Sequence, residues 1–157
     1  MNRRDALSTG LTGLAGLTTT AASAAPAAMD TSGVDVATLR QQVTDTETAF
    51  ARSMAERNFE AFLSFIADDA VFLNGGDPLR GKAAIAAFWR KFYQAPAAPF
   101  SWRPDLVEVL ASGTLASSNG PVADPAGKVF ARFYSTWRLE SPGVWRIVFD
   151  NGYDVCG

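Results

Sequence analysis

A chain of 157 residues has the length of one domain, and 48% apolar residues supply enough material for a proper core. A net charge of −2 argues against nucleic acid as a partner, because that needs a basic patch. Histidine is absent, which removes the His–Asp dyad, the usual serine triad and any imidazole metal site.

Residues 1–28 differ in composition from the rest. Arg3-Arg4 are followed by Ala, Leu, Gly, Thr and Ser with no acid after Asp5, and Ala22-Ser23-Ala24 offers a small-residue cleavage site. This reads as an export signal over residues 1–24. The segment NRRDAL resembles a twin-arginine signal, with Leu7 in a favoured position and Ala6 where Phe is commoner. An ordinary secretory signal carrying two arginines is the other reading. The run is too rich in Ala, Gly and Thr to span a bilayer, so no membrane association is expected after cleavage. The protein is expected to be exported, periplasmic or extracellular in a bacterium. Loss of Arg3, Arg4 and Asp5 would take the net charge from −2 to −3. Residues 25–34 read as a disordered lead-in, and 35–157 as the folded domain.

A long helix is predicted from Asp35 to about Arg57. Its inner stripe is Val36, Leu39, Val43, Thr46, Phe50 and Met54, with Arg40, Gln41, Asp45, Glu47, Arg52 and Glu56 pointing outward. Asn58 can cap a second helix whose stripe is Phe59, Phe62, Leu63 and Ile66, stopped by Asp68-Asp69. Ala70–Leu73 reads as a buried strand, and Asn74-Gly75-Gly76-Asp77-Pro78 as turn chemistry. Gly81 precedes a third helix with Ile85, Phe88, Trp89 and Phe92 on one face. Gln94–Pro99 is a linker that cannot continue it.

The remainder reads as strand and turn. Leu106–Leu110 is one strand, reaching back past Pro104 to Phe100 as an edge segment, and Thr114–Asn119 is the next. Pro121–Gly127 holds a turn. Lys128–Glu140 and Val144–Tyr153 form a hairpin across Ser141-Pro142-Gly143. A three-residue loop pairs Leu139 with Trp145, Trp137 with Ile147, Ser135 with Phe149 and Phe133 with Asn151. The other face then holds Arg138 opposite Arg146, Thr136 opposite Val148 and Tyr134 opposite Asp150. This alternation makes the side of Phe133, Ser135, Trp137 and Asn151 the inner face. Asp150 falls outside, in an ion-pair role beside Arg132, Arg138 and Arg146.

The stretches FEAFLSFIADDAVFLN and PLRGKAAIAAFW resemble the signature of the nuclear transport factor 2-like superfamily. That superfamily includes ketosteroid isomerases, SnoaL-like polyketide cyclases and many exported members without known activity. The resemblance runs from about residue 35 to the C-terminus. It implies an α+β fold, a cone-shaped curved antiparallel sheet covered by three helices from the N-terminal half. Homodimerisation through the outer sheet face is common among lookalikes and is expected here, with acids of a second subunit facing Arg138 and Arg146. Ketosteroid isomerases set an aspartate base against a tyrosine and a protonated carboxylic acid. Alignment on Ala67-Asp68-Asp69-Ala70 puts Asn74 at the base position, Phe50 at the tyrosine position and Ser135 near the acid position. Phe50 cannot donate a hydrogen bond and Asn74 cannot take a proton at neutral pH, so that reaction is not expected. The missing histidine equally argues against the superfamily's His–Asp dehydratases.

No catalytic residue is therefore assigned. The candidate ligand-binding site has Phe50, Met54, Trp89, Phe133 and Trp137 as walls and Asn74, Ser135 and Asn151 as its few polar groups. Mostly apolar walls with a few fixed donors and acceptors suit a small, largely apolar ligand; the same aromatics could equally fill a closed core. No cofactor or metal is implied, since Asp68-Asp69 is a thin ligand set for a hard cation. Asp77 reads as a turn anchor. Cys156 is either a frayed terminal residue or the bridge of a disulfide dimer. The expected function is an exported small-molecule binder. The alternatives are an isomerase- or cyclase-type enzyme acting on a carbonyl compound through an unidentified carboxylate, and a ligand-free dimerisation module.

Overall fold

The computed structural model describes residues 35–73 and 75–155. The expected export signal, the lead-in, Asn74 and Cys156 lie outside the described residues. Helix α1 (Val36–Ala55) and helix α2 (Phe59–Ser64) precede strands β1 (Ile66–Leu73) and β2 (Leu79–Arg80). Helix α3 (Lys82–Trp89) runs into a 3-10 turn at Arg90–Tyr93, and five strands follow: β3 (Ser101–Trp102), β4 (Leu106–Val109), β5 (Leu115–Ala123), β6 (Val129–Ser141) and β7 (Val144–Asp154). They make one seven-stranded sheet in the order β2-β1-β7-β6-β5-β3, with β4 also on β5. Every pairing is antiparallel except β1 with β7. The helices cover one face, as the α+β cone requires.

Local chemistry places the helices. The Asn58 side chain accepts a hydrogen bond from Ala61 N at 2.9 Å, the cap expected of it and worth about 1 kcal/mol. Gly81, with φ of +82°, turns the chain into α3. Arg57 takes φ of +60° after α1 and donates to the carbonyls of Met54, Phe92 and Ala95, which fastens the end of α1 to the segment after α3. The core lies between helices and sheet. Leu39, Val43, Phe50, Phe62 and Ile85 meet Phe72, Trp137, Trp145 and Ile147 there.

Several expectations are corrected. Helix α2 ends at Ser64, so Ile66 opens β1, and Asp68-Asp69 are strand residues rather than a helix stop. Both are exposed acids. Lys82 sits 2.9 Å from Asp68 and Arg138 2.9 Å from Asp69, and each holds its carboxyl below the usual range. Arg138 also reaches Glu140 at 2.8 Å, while Arg146 donates to the carbonyl of Ser64, so these two arginines find their acceptors within the chain. Strand β5 continues through Pro121 to Ala123 where a turn was expected. Pairing with β4 ends at Asn119 and pairing with β3 begins at Val122, so the missing N–H of Pro121 falls in the gap between them.

Glu47 was expected outside and is fully buried instead. The inner stripe of α1 passes from Val43 to Phe50 through Glu47 rather than Thr46, because partners on the sheet await a carboxylate. The hairpin register is also different. Leu139–Trp145, Arg138–Arg146 and Trp137–Ile147 pair as expected, and then Thr136 meets Phe149 instead of Val148. Val148 is an extra residue, a β-bulge, and Ile147 and Val148 are both buried in succession. Beyond it every side chain changes face. Asp150 pairs with Ser135 on the inner face, and Asn151 pairs with Tyr134 on the outer face. Asp150 is thus no partner of the outer arginines.

Candidate functional site

A cavity of about 510 Å³ opens between α1, α3 with its 3-10 turn, and the concave faces of β5, β6 and β7. That volume falls in the range of small-molecule sites. Eight of its fourteen lining residues are aromatic, and the only ionisable ones are Asp150 and Asp154. The helical side supplies Phe50, Phe88 and Trp89, the sheet side Trp102 and Phe133.

Asp150 is brought there by the Val148 bulge and is 9% exposed. Ser135 Oγ donates to its Oδ2 at 2.8 Å. Burial, with a smaller push from the acid of Glu47 and against the opposing hydrogen bond from Ser135, brings the carboxyl up to about 8. At neutral pH the cavity wall therefore presents a protonated carboxylic acid.

Behind it lies a second buried acid. Glu47 Oε1 accepts from Trp102 Nε1 at 2.9 Å, and Oε2 accepts from Ser118 Oγ at 2.6 Å and Trp137 Nε1 at 3.1 Å. Burial raises its pKa, and those donors together with Ser135 counter part of the rise. The ring of Trp102 lines the cavity while its N–H holds Glu47, so cavity wall and buried acid are one hydrogen-bonded unit. No Lys or Arg pairs with either acid among the described residues.

The residues singled out by sequence are distributed as follows. Phe50, Trp89 and Phe133 border the cavity. The Trp89 Nε1 is buried with no hydrogen-bond partner among the described residues. Met54 and Trp137 are fully buried in the core. Ser135 faces inward and holds Asp150. Asn151 donates to Tyr153 Oη at 3.2 Å and borders both the cavity and a shallower hollow on the outer face. Asn74 lies outside the described residues. Sequence reasoning missed Asp150 and Glu47. One signal did point to them: Ser118, Ser135, Trp102 and Trp137 are donors bound for the inner face, and a chain without histidine has mainly carboxylates to receive them.

Residues 47–147 match the family described as a SnoaL-like domain, nearly two thirds of the chain. The chain belongs to the SnoaL-like domain family. Solved structures agree on the fold. A cystatin-like fold protein from Burkholderia xenovorans LB400 is similar at 20% identity and a TM-score of 0.62, over 76% of this chain and 93% of that one. A nuclear transport factor 2-like protein of unknown function from Pseudomonas putida KT2440 gives 18%, 0.61, 76% and 88% in the same terms. A ketosteroid isomerase-like protein from Erwinia carotovora atroseptica SCRI1043 gives 15%, 0.60, 75% and 97%. At such identities the likeness concerns the fold alone. Among curated proteins none matches. This SnoaL-like chain therefore has the nuclear transport factor 2-like cone, and what it does must be argued from its own cavity.

Proposed function

We propose that this SnoaL-like protein is exported by its N-terminal signal and binds a small, largely apolar molecule in the cone. The carrying observation is the aromatic-lined cavity of about 510 Å³, with the Asp150 carboxyl as its buried polar group. Apolar walls supply burial and the one buried acid of the lining supplies orientation. Leu73, Leu115, Tyr134, Phe149 and Tyr153 leave apolar surface exposed on the outer sheet face, which supports pairing of two copies there. Native mass spectrometry of freshly purified protein, followed by thermal melts with neutral apolar compounds, is expected to show a retained molecule or a raised Tm. The absence of both a retained molecule and any stabilisation would overturn the binding reading.

A second reading is favoured by one observation, the position of Asp150. A carboxyl raised by burial in an apolar site is suited to proton transfer at a carbonyl compound. If the protein is an isomerase or cyclase, turnover of a model enone should depend on a group titrating near pH 8 and should fall by about 100-fold or more in Asp150→Asn. Equal rates for the two proteins would remove Asp150 from any such chemistry.

A further inference from the structure

We propose that the cavity takes an organic cation, a small apolar amine or quaternary ammonium compound whose charge lies against Asp150 while its carbon skeleton contacts the aromatic walls. The proposal deepens the ligand-binding reading and rests on it.

Charge balance is the first argument. Of the fourteen lining residues none is Lys or Arg, and the two charged positions are both acids, Asp150 within and Asp154 among the exposed residues. The groups facing Asp150 are Ser135 from β6, Phe72 at the paired position of β1 and Glu47 from α1, so among the described residues the ionisable group that acts on it is itself an acid. Two buried acids held only by neutral donors lack a counter-charge, a deficit that Asp150 meets by keeping its proton. A neutral ligand leaves that deficit in place, and a cation fills it.

The walls are the second argument. Ring faces carry negative potential and attract cations, more strongly where water is excluded. Two of the lining rings already hold an ammonium: Lys91 Nζ stands 3.7 Å from the ring centroid of Phe88 and 4.9 Å from that of Phe92. Phe50, Trp89, Trp102 and Phe133 offer further aromatic surface inside.

The proton balance follows from the chemistry of the ligand. A free-base amine takes the proton of the Asp150 carboxyl: the O–H bond breaks, an N–H bond forms, and an ammonium–carboxylate pair remains in the cavity. A quaternary ammonium has no lone pair to receive that proton, which passes to buffer. Binding of such a cation is therefore linked to proton release.

Benzyltrimethylammonium and its neutral carbon isostere neopentylbenzene have nearly the same shape and differ by the charge. Titrated into the full chain by tryptophan fluorescence, the cation is expected to bind at least about tenfold tighter than the isostere at pH 8.5. Its affinity should rise by up to about tenfold per pH unit between pH 6 and 8, while the isostere stays flat. Calorimetry at pH 6 in buffers of different ionisation heat should read about one proton released per quaternary cation bound. Asp150→Asn should erase both the slope and the preference for the cation over the isostere. Equal, pH-independent affinity for the two compounds overturns the cation proposal and leaves the binding reading standing. Binding of neither overturns both.

Discussion

Between about pH 4 and pH 8 the protein is expected to lose stability on the order of 5 kcal/mol, and Asp150→Asn to abolish most of that loss. The unfolded carboxyl of Asp150 titrates near 3.8 and the folded one near 8, so over this interval the folded state holds a proton that the unfolded state has released. Stabilisation from this group is complete below pH 4, declines as pH rises and is gone above pH 8. Glu47 acts in the same direction, because burial raises its pKa as well. Asp68 and Asp69, held low by Lys82 and Arg138, act oppositely and lose their contributions only as acid approaches their depressed values. The stability maximum should accordingly fall on the acid side of neutrality. Urea melts at half-unit pH steps would check this, with Asp150→Asn more stable than the parent at pH 8.5. Superimposable curves for parent and variant would mean that Asp150 does not carry a shifted proton.

The second large effect is expected at Gly120. A Cβ there would stand 1.9 Å from the carbonyl oxygen of Arg103 and 3.0 Å from Phe133 Cε1. The first neighbour is backbone and cannot rotate away, so Gly120→Ala must push apart β5 and the segment leading into β4. A cost of about 3 kcal/mol or more is expected, above the usual range for overpacking because the contact is with main chain. The ring of Phe133 lines the cavity, so ligand affinity should fall with stability. Gly152→Ala is the control, since its Cβ would meet only the Arg132 carbonyl oxygen at 3.8 Å. Equal melting points for the two variants would show that the close approach at Gly120 relaxes freely.

The architecture was legible because its signals are local and redundant. The α1 stripe, the Asn58 cap, Gly81 and the Pro142-Gly143 turn each mark a boundary without help from distant residues. The site was legible only in part. Phe50, Trp89 and Phe133 border the cavity because long aromatic positions on inner faces have few other places to go. Asp150 was misplaced because a bulge leaves little trace when the extra residue is Val beside Ile, both at home in a core. Alternation read outward from the turn carries that slip to every later position. Glu47 was misplaced for a different reason. Thr46 and Glu47 fit the helical period about equally, and charge normally decides in favour of solvent. Here three donors on β3, β5 and β6 outweigh it, and such donors can be matched to an acceptor only after the strands are assembled.

The bulge at Val148 implies something about how such sites arise. Excising Val148 would leave Thr136 opposite Phe149 and Ser135 opposite Asp150, so the acid would stay inside; the same residues laid down as a regular strand would instead bring the ring of Phe149 inward and send the acid to the solvent side. An oily chamber and an acidic one are thus separated by whether one residue is taken up as a bulge, with no need for a new ionisable residue. Comparisons that score only residue identities would pass over the difference.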